Sequence, residues 1–150
     1  MLINATAALL KSTRDFERYS FKSDFLSVVL RKTARIRQRF WSVVTHSDIG
    51  LGASLGEGLN LPHPNGVIIH ENTVIGRNTM IMQQVTIGIT AKGGPPTIGS
   101  NVYIGAGAKV LGNVSIGDGA QIGANAVVLC DVPANSTAVG VPAKIVCKIS

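Results

Sequence analysis

Aliphatic side chains recur every six residues along most of the chain. The positions that share this period are Ile49, Leu55, Leu61 and Val67, then Ile69, Ile75, Ile81 and Ile87, and finally Ile98, Ile104, Val110, Ile116, Ile122 and Val128. Most of them are followed, four residues later, by a second small or β-branched residue. A short fixed period of this kind is typical of a β-solenoid, in which each six-residue unit forms one short strand and one corner. The pattern therefore predicts an all-β solenoid over residues 47–131.

Two interruptions divide the period. The phase slips by two residues after Val67, just behind the run Pro62-His63-Pro64-Asn65-Gly66, which favours an irregular corner. The second interruption covers residues 88–97, where Gly93-Gly94-Pro95-Pro96 predicts a loop outside the solenoid. Loops carried by a rigid scaffold are common places for functional residues. Beyond the last periodic residue we predict an extended tail over 132–150 that runs back along the solenoid.

Residues 1–46 lack the period and have the pattern of two helices, one over 5–20 and one from about Phe25 to Val44, with Ser23-Asp24 as the cap of the second. Apolar residues of the second helix fall on one face and basic residues on an adjacent arc: Phe25, Val29, Ile36, Phe40 and Val43 against Arg31, Lys32, Arg35 and Arg39. We interpret the apolar face as packed on the end of the solenoid, beside a solvated basic face. The alternative is peripheral contact of this basic helix with an anionic membrane surface or an acidic acceptor.

Aromatic residues and charge divide at the same boundary. Six of the seven aromatic residues precede residue 46, and a narrow solenoid interior has little room for rings. Residues 1–46 hold nine Lys and Arg against three Asp and Glu, whereas the remainder holds five of each, so the net charge of +6 belongs to the N-terminal segment. Nucleic-acid binding is disfavoured because no aromatic residues interleave with the basic positions outside the helix. Without a membrane-spanning stretch, a signal-peptide pattern or a disulfide framework, we expect a cytoplasmic protein.

In four features the chain resembles the hexapeptide-repeat acyltransferases: the six-residue period, the loop after Ile87, the run Ile104-Gly-Ala-Gly-Ala-Lys109, and the run Gly140-Val-Pro-Ala-Lys-Ile-Val146. Within that family it is most similar to the serine acetyltransferases and the O-acetyltransferases of bacterial polysaccharide gene clusters. The resemblance implies a left-handed parallel β-helix of triangular section and assembly as a homotrimer. It also implies acetyl-CoA as co-substrate, in a groove between two subunits, and no metal.

The resemblance also implies a catalytic histidine. Transfer of an acyl group to a hydroxyl needs a base near pH 7, and neutral imidazole suits this role. The serine acetyltransferase pattern places its histidine in a Leu-Asp-His-x-x-Gly turn, which residues 61–66 match at His63, and an aspartate fifteen residues earlier, where Asp48 stands. Because a coil of three hexads has eighteen residues, we predict that Asp48 lies near His63 and orients it. The structural alternative for His63 is a corner residue bonded to backbone, and His46 and His70 are interpreted as bystanders whose spacing does not suit a zinc site.

Positions beside the CoA arm follow from the same resemblance. The small or polar residues implied are Gly88, Thr90, Ala106 and Ala124, with Lys109 and Lys144 as cations for the CoA phosphates. Ala106 and Ala124 are eighteen residues apart, so we expect them to stack on one edge of the solenoid. Small residues are also needed at corners for packing alone, which is the structural alternative for these positions.

The sequence departs from the family where the family holds its acceptor. The Asp-Arg-His-Pro that ends the family's loop is replaced by Gly93-Gly94-Pro95-Pro96, and the aspartate before the catalytic histidine is replaced by Pro62. A carboxylate acceptor without an arginine partner would bind poorly. We therefore expect O-acetylation of a sugar hydroxyl on a surface-polysaccharide precursor, whose lipid anchor would place the basic helix near anionic lipid. The alternatives are serine O-acetylation and, outside the enzymes, a non-catalytic trimeric scaffold.

Overall fold

Two α-helices precede fourteen short β-strands in the computed structural model, which describes residues 2–91 and 93–148 and the side chains of residues 5–91 and 93–146. The helices are α1 (Leu2–Ser20) and α2 (Phe25–Thr45). The strands are β1 (Asp48–Ile49), β2 (Ser54–Leu55), β3 (Ile68–Ile69), β4 (Val74–Ile75), β5 (Met80–Ile81), β6 (Thr86–Gly88), β7 (Thr97–Ile98), β8 (Tyr103–Ile104), β9 (Lys109–Leu111), β10 (Ser115–Ile116), β11 (Gln121–Ile122), β12 (Val127–Val128), β13 (Ser136–Val139) and β14 (Lys144–Lys148).

From β3 to β12 every third strand returns to the same sheet, so the strands form a solenoid with three faces. The first sheet has the order β1-β3-β6-β9-β12, the second β2-β4-β7-β10, and the third β5-β8-β11-β13-β14. All neighbouring strands are parallel except β13 and β14. The periodic residues pair with one another between coils, as in the register Ile69 to Ile87 and Ile87 to Val110. This register confirms the β-solenoid predicted from the six-residue period.

The periodic aliphatic residues form the core. They point inward from all three sheets and are at most 6% exposed, as are the corner residues Ala53, Ala108, Ala120 and Ala126. The one aromatic residue of the solenoid, Tyr103, faces outward. Neighbouring strands lie about 4.8 Å apart, so the inward aliphatic side chains of consecutive coils pack on one another.

Both interruptions of the period are corners that hold extra residues. The first coil is twenty residues long, because Ile49 pairs with Ile69 across the irregular corner at 62–66. The third coil is twenty-three residues long, because Ile87 pairs with Val110. The residues that this coil expels form the loop 89–96, since the outermost predicted loop positions, Gly88 and Thr97, belong to β6 and β7.

The segment expected to be an extended tail, residues 132–150, holds strands over the part that the structure describes. Val132 bridges Ile116, and β13 pairs in parallel with β11, so the solenoid continues by part of a further coil. Strand β14 then turns back antiparallel to β13. The six-residue period does not reveal this coil because the coil has sixteen residues instead of eighteen, with Ala138 opposite Ile122. Residues 149 and 150 lie outside the described residues.

Helix α2 begins at Phe25 after the cap Asp24, as predicted. The Ser27 hydroxyl and the Ser27 backbone N–H both donate to the Asp24 carboxylate, and they lower the pKa of this exposed group. The predicted orientation of α2 is wrong, however. Its apolar face points to solvent, and its buried residues are Ser27, Ala34, Gln38 and Thr45. Among the described residues, no helix combines the length and apolar character needed to cross a membrane.

Polar side chains from both helices cap the first coil of the solenoid. Arg14 donates from Nε to the Leu55 carbonyl at 3.2 Å and from Nη2 to the Gly56 carbonyl at 2.6 Å. Gln38 donates from Nε2 to the Ile49 carbonyl at 2.7 Å. These carbonyls lie in the coil that has no preceding coil to pair with, so the helices satisfy groups that an open sheet edge would leave unpaired.

Two buried threonines inside the corners differ in their hydroxyl partners. The Thr79 hydroxyl donates to the Gly99 carbonyl at 2.9 Å, whereas Thr73 Oγ1 has no hydrogen-bond partner in the described part of the chain. We expect Thr73→Val to raise the free energy of unfolding by about 1 kcal/mol, because it removes an unsatisfied buried polar group. We expect the matched control Thr79→Val to lower it by about 1 kcal/mol, because it removes a bond. Urea unfolding measures both, and a destabilised Thr73→Val would contradict the prediction.

Candidate active site

The irregular corner at residues 62–66 presents His63 to solvent. Pro64 is buried beneath the corner, and its carbonyl accepts the Val67 N–H at 3.1 Å, which closes the turn. The Gly66 N–H donates to the His46 carbonyl at 2.6 Å, and the Asn65 carbonyl accepts the Gln84 N–H at 3.0 Å. The corner is thus fixed to the helix end on one side and to the next coil on the other. Its extra residues are what allow the His63 ring to project.

The ring of His63 lines a cavity of about 500 Å³ between the corner and helix α1. The other lining residues are Thr6, Ala7 and Leu10 from α1 and Leu59, Asn60, Leu61 and Pro62 from the solenoid. Neither ring nitrogen of His63 has a hydrogen-bond partner among the described residues. Because its ring nitrogens are not bonded to these residues, the His63 imidazole is available to accept a proton from a molecule in the cavity. The lining described here contains no Lys or Arg.

Asp48 lies at the start of β1, exposed on the outer side of the first sheet. Its N–H donates to the Val67 carbonyl at 2.8 Å, so it sits at the coil junction that follows the His63 corner. Asp48 and His63 are not hydrogen-bonded in the described residues, and they line different cavities of the single chain. The expected contact assumed a coil of eighteen residues. The first coil has twenty, so the partner of Asp48 is Ile68 and not a residue of the corner.

A second cavity, of about 380 Å³, contains polar side chains that include His70, which the sequence did not predict as a site residue. Asp48 lines it together with His70, Glu71 and the predicted cofactor position Gly88. His70 is brought there because it lies twenty residues after Gly50, and the register of β1 with β3 stacks these two positions. The signal that identifies it is the coil length: counting twenty residues from Gly50, instead of eighteen, reaches His70.

His70 is poorly suited to act as a base in that cavity. Its Nδ1 accepts the Asn72 backbone N–H at 3.2 Å. A neutral imidazole whose Nδ1 accepts a hydrogen bond carries its proton on Nε2, so the other ring nitrogen is a donor and does not accept a proton. The third histidine, His46, caps the C-terminus of α2 in the left-handed region with φ 52°. The described residues contain no group of three or more His, Cys, Asp or Glu arranged to hold a metal ion.

The predicted cofactor positions lie on two corners of the solenoid. Ala106 and Ala124 stack on consecutive coils, as expected, with the Asn125 N–H donating to the Ala106 carbonyl at 2.8 Å. Gly88 ends β6, and its carbonyl accepts the Gly112 N–H at 2.9 Å. Within the loop beyond it, Thr90 and Gly93 form an antiparallel bridge.

The two predicted phosphate-binding lysines differ in their surroundings. The Lys109 ammonium donates to the Gln84 carbonyl at 2.8 Å and to the Thr86 hydroxyl at 3.1 Å, so two of its three donors are used within the solenoid. Lys144 is exposed at the start of β14. Lys144 is therefore the better placed of the two for an external anion.

Comparison with known proteins identifies the family. The family described as bacterial transferase hexapeptide (six repeats) matches residues 95–130. The serine acetyltransferase of Helicobacter pylori is 47% identical over 118 residues, which are 77% of this chain and 69% of that protein. The chain belongs to the hexapeptide-repeat acyltransferase family. The relatives found are serine acetyltransferases, one of the two enzyme groups that the sequence resembles.

Two solved structures agree in fold. Serine acetyltransferase of Brucella abortus strain S19 in complex with coenzyme A has a TM-score of 0.81 and is 35% identical; 94% of this chain aligns with 55% of that chain. The Neisseria gonorrhoeae serine acetyltransferase in complex with serine has a TM-score of 0.78 and is 42% identical; 93% of this chain aligns with 55% of that chain. The fold of this family member is accordingly a left-handed parallel β-helix. The chain spans about half the length of these solved proteins.

The different surroundings of Lys109 and Lys144 can be tested by replacing each lysine with methionine. We expect Lys109→Met to lower the free energy of unfolding by about 1 kcal/mol, because two intrachain hydrogen bonds are lost. The matched variant Lys144→Met is expected to change it by less than about 0.5 kcal/mol, as exposed substitutions usually do. Urea unfolding of both variants is the measurement. Equal stability of Lys109→Met and the parent chain would mean that the ammonium is not held by the solenoid.

Proposed function

We propose that the chain is an acetyl-CoA-dependent O-acetyltransferase with His63 as its general base and serine as its acceptor. The observation that carries the proposal is the exposed His63 ring in the lining of a cavity, without a hydrogen-bond partner among the described residues. It stands at the position that matches the catalytic histidine of the family. The sugar acceptor expected from the sequence is less well supported than serine, because the relatives are serine acetyltransferases.

The chemistry requires one proton transfer in each direction. His63 accepts the proton of the acceptor hydroxyl while the hydroxyl oxygen attacks the thioester carbonyl of acetyl-CoA. A carbon–oxygen bond forms, the carbon–sulfur bond breaks, and the CoA thiolate leaves. The imidazolium returns the proton to that sulfur, so free CoA and the acetyl ester are the products. Transfer is direct, and no acetyl group is attached to the protein.

Asp48 has the role of stabilising the imidazolium. It lies at the coil junction next to the His63 corner, joined to it through the Val67 carbonyl. A carboxylate near the ring favours the charged form that appears as the hydroxyl attacks. Because Asp48 and His63 are not hydrogen-bonded in the described residues, the interaction that we propose is electrostatic. Its loss is therefore expected to be less severe than the loss of His63.

The CoA arm runs beside the corner formed by Ala106 and Ala124, where small side chains leave backbone groups accessible. Gly88 and Thr90 contribute at the other corner, where the loop leaves β6, and Lys144 provides an exposed cation for a CoA phosphate. Lys109 contributes less to phosphate binding than Lys144, since its ammonium already has two intrachain acceptors.

A neutral acceptor, such as a sugar hydroxyl, is a second candidate with a specific observation in its favour. The described lining of the His63 cavity contains no cation that would pair with a serine carboxylate, and Pro62 is part of that lining. The loop carries Gly93-Gly94-Pro95-Pro96 in place of charged residues. These departures favour an uncharged acceptor, whereas the family relationship favours serine.

We expect His63→Ala to lower kcat by about 10²–10⁴, because general base catalysis contributes that much. His70→Ala is the matched histidine control and is expected to leave kcat within a few-fold of the parent chain. Release of free CoA thiol from acetyl-CoA measures both, and circular dichroism checks that each variant is folded. A His63→Ala variant that retains full activity would remove His63 as the base. A large loss in His70→Ala alone would assign the role to the second cavity.

The same thiol-release assay, run with a panel of candidate acceptors, identifies the acceptor. Serine is expected to give saturable thiol release, and simple sugars and nucleotide sugars are the competing acceptors. Activity on a sugar without activity on serine would contradict the serine assignment and favour the second candidate. A folded chain that releases no thiol with any acceptor would contradict the enzyme proposal and favour the non-catalytic scaffold.

A further inference from the structure

The outer face of helix α2 is apolar and points to solvent. Phe25, Val29, Ile36, Phe40 and Val43 form this face, which we name the apolar stripe. Phe25 is 85% exposed, Ile36 69% and Val43 74%. At 100° per residue the five side chains fall within roughly 60° of arc.

The orientation of α2 is fixed by the opposite face of the helix. Its buried residues, Ser27, Ala34, Gln38 and Thr45, are centred roughly 180° from the apolar stripe. Gln38 is held by its bond to the Ile49 carbonyl. Rotating the stripe inward would break that bond. Large exposed apolar patches on folded proteins mark surfaces that bind something.

Positive charge surrounds the apolar stripe. Lys32 and Arg39 flank it on one side, and neither has an ion-pair partner among the described residues. On the other side Arg37 pairs with Asp15 at 2.7 Å. Arg31, Lys32 and Arg35 also line a groove of about 360 Å³ between the two helices. Helix α2 contains five Lys and Arg and no Asp or Glu in its sequence.

The apolar stripe and its flanking cations together favour one kind of binding partner. A second copy of the same face would bring the cations of one helix against those of the other, and α2 offers no carboxylate to neutralise them. An anionic bilayer supplies both an apolar phase for the stripe and phosphates for the flanking cations. A helix of twenty-one residues is about 30 Å long, which suits an element lying in the plane of a membrane surface.

We propose that α2 docks the protein on an anionic lipid surface, with the apolar stripe at the boundary between headgroups and acyl chains and Lys32 and Arg39 at lipid phosphates. This inference goes beyond the proposed function and does not depend on it. It differs from the basic-face contact expected from the sequence, because the structure exposes apolar and basic side chains together.

Vesicle sedimentation of the full chain tests the proposal. We expect binding to vesicles of phosphatidylcholine mixed with phosphatidylserine, little binding to phosphatidylcholine alone, and weaker binding as salt is raised. The variant Lys32→Gln with Arg39→Gln is expected to reduce partitioning about thirtyfold, since each cation near an anionic surface contributes about 1 kcal/mol. Ile36→Ser with Phe40→Ser is expected to reduce it about tenfold or more.

The control is Val74→Ser, which removes an exposed aliphatic side chain from the solenoid and is expected to leave partitioning unchanged. Equal binding of the parent chain to neutral and anionic vesicles would overturn the proposal, as would stripe variants that bind like the parent. Sedimentation velocity without lipid tests the competing explanation, in which a second copy of the chain covers the stripe. A larger assembly that dissociates only in Ile36→Ser with Phe40→Ser would assign the stripe to a second copy of the chain.

Discussion

The register of backbone hydrogen bonds between consecutive coils is the constraint on which the rest of the structure depends. Each strand is two to five residues long, so it is held by its neighbours above and below and by inward aliphatic side chains. Extra residues cannot be accommodated inside a strand without turning its inward residue outward. They are expelled at corners, and the corners at 62–66 and 89–96 are therefore where side chains project from an otherwise uniform surface.

Much of the fold could be predicted from the sequence because one period governs both strand position and burial. Every residue in phase, from Ile49 to Val128, is buried as expected. The candidate site could be predicted from the sequence only in part. The match to a family turn identifies His63, but the partner of Asp48 depends on a coil length that two extra residues change from eighteen to twenty. His70, interpreted from the histidine spacing as a bystander, reaches the cavity of Asp48 and Gly88 only through the twenty-residue register.

The orientation of α2 could not be predicted from its own sequence. Hydrophobic periodicity assumes that the apolar face of a helix covers an apolar surface. The surface available at the start of the solenoid is the edge of the first coil, where carbonyls such as those of Ile49, Leu55 and Gly56 lack a preceding strand. A buried carbonyl left unpaired costs about 1–3 kcal/mol, so polar side chains are needed there.

The cap and the exposed apolar stripe are consequences of that same edge. Gln38 satisfies the Ile49 carbonyl of that edge, and to reach it α2 must turn its polar and small residues inward. Because the apolar residues of α2 lie on the opposite side of the helix, satisfying the edge forces them outward. A helix that only terminated the solenoid would be polar on its solvent face. The exposure of Phe25, Ile36 and Phe40 there, among five cations, is the basis for proposing that the outer face of α2 has a binding role distinct from its capping role.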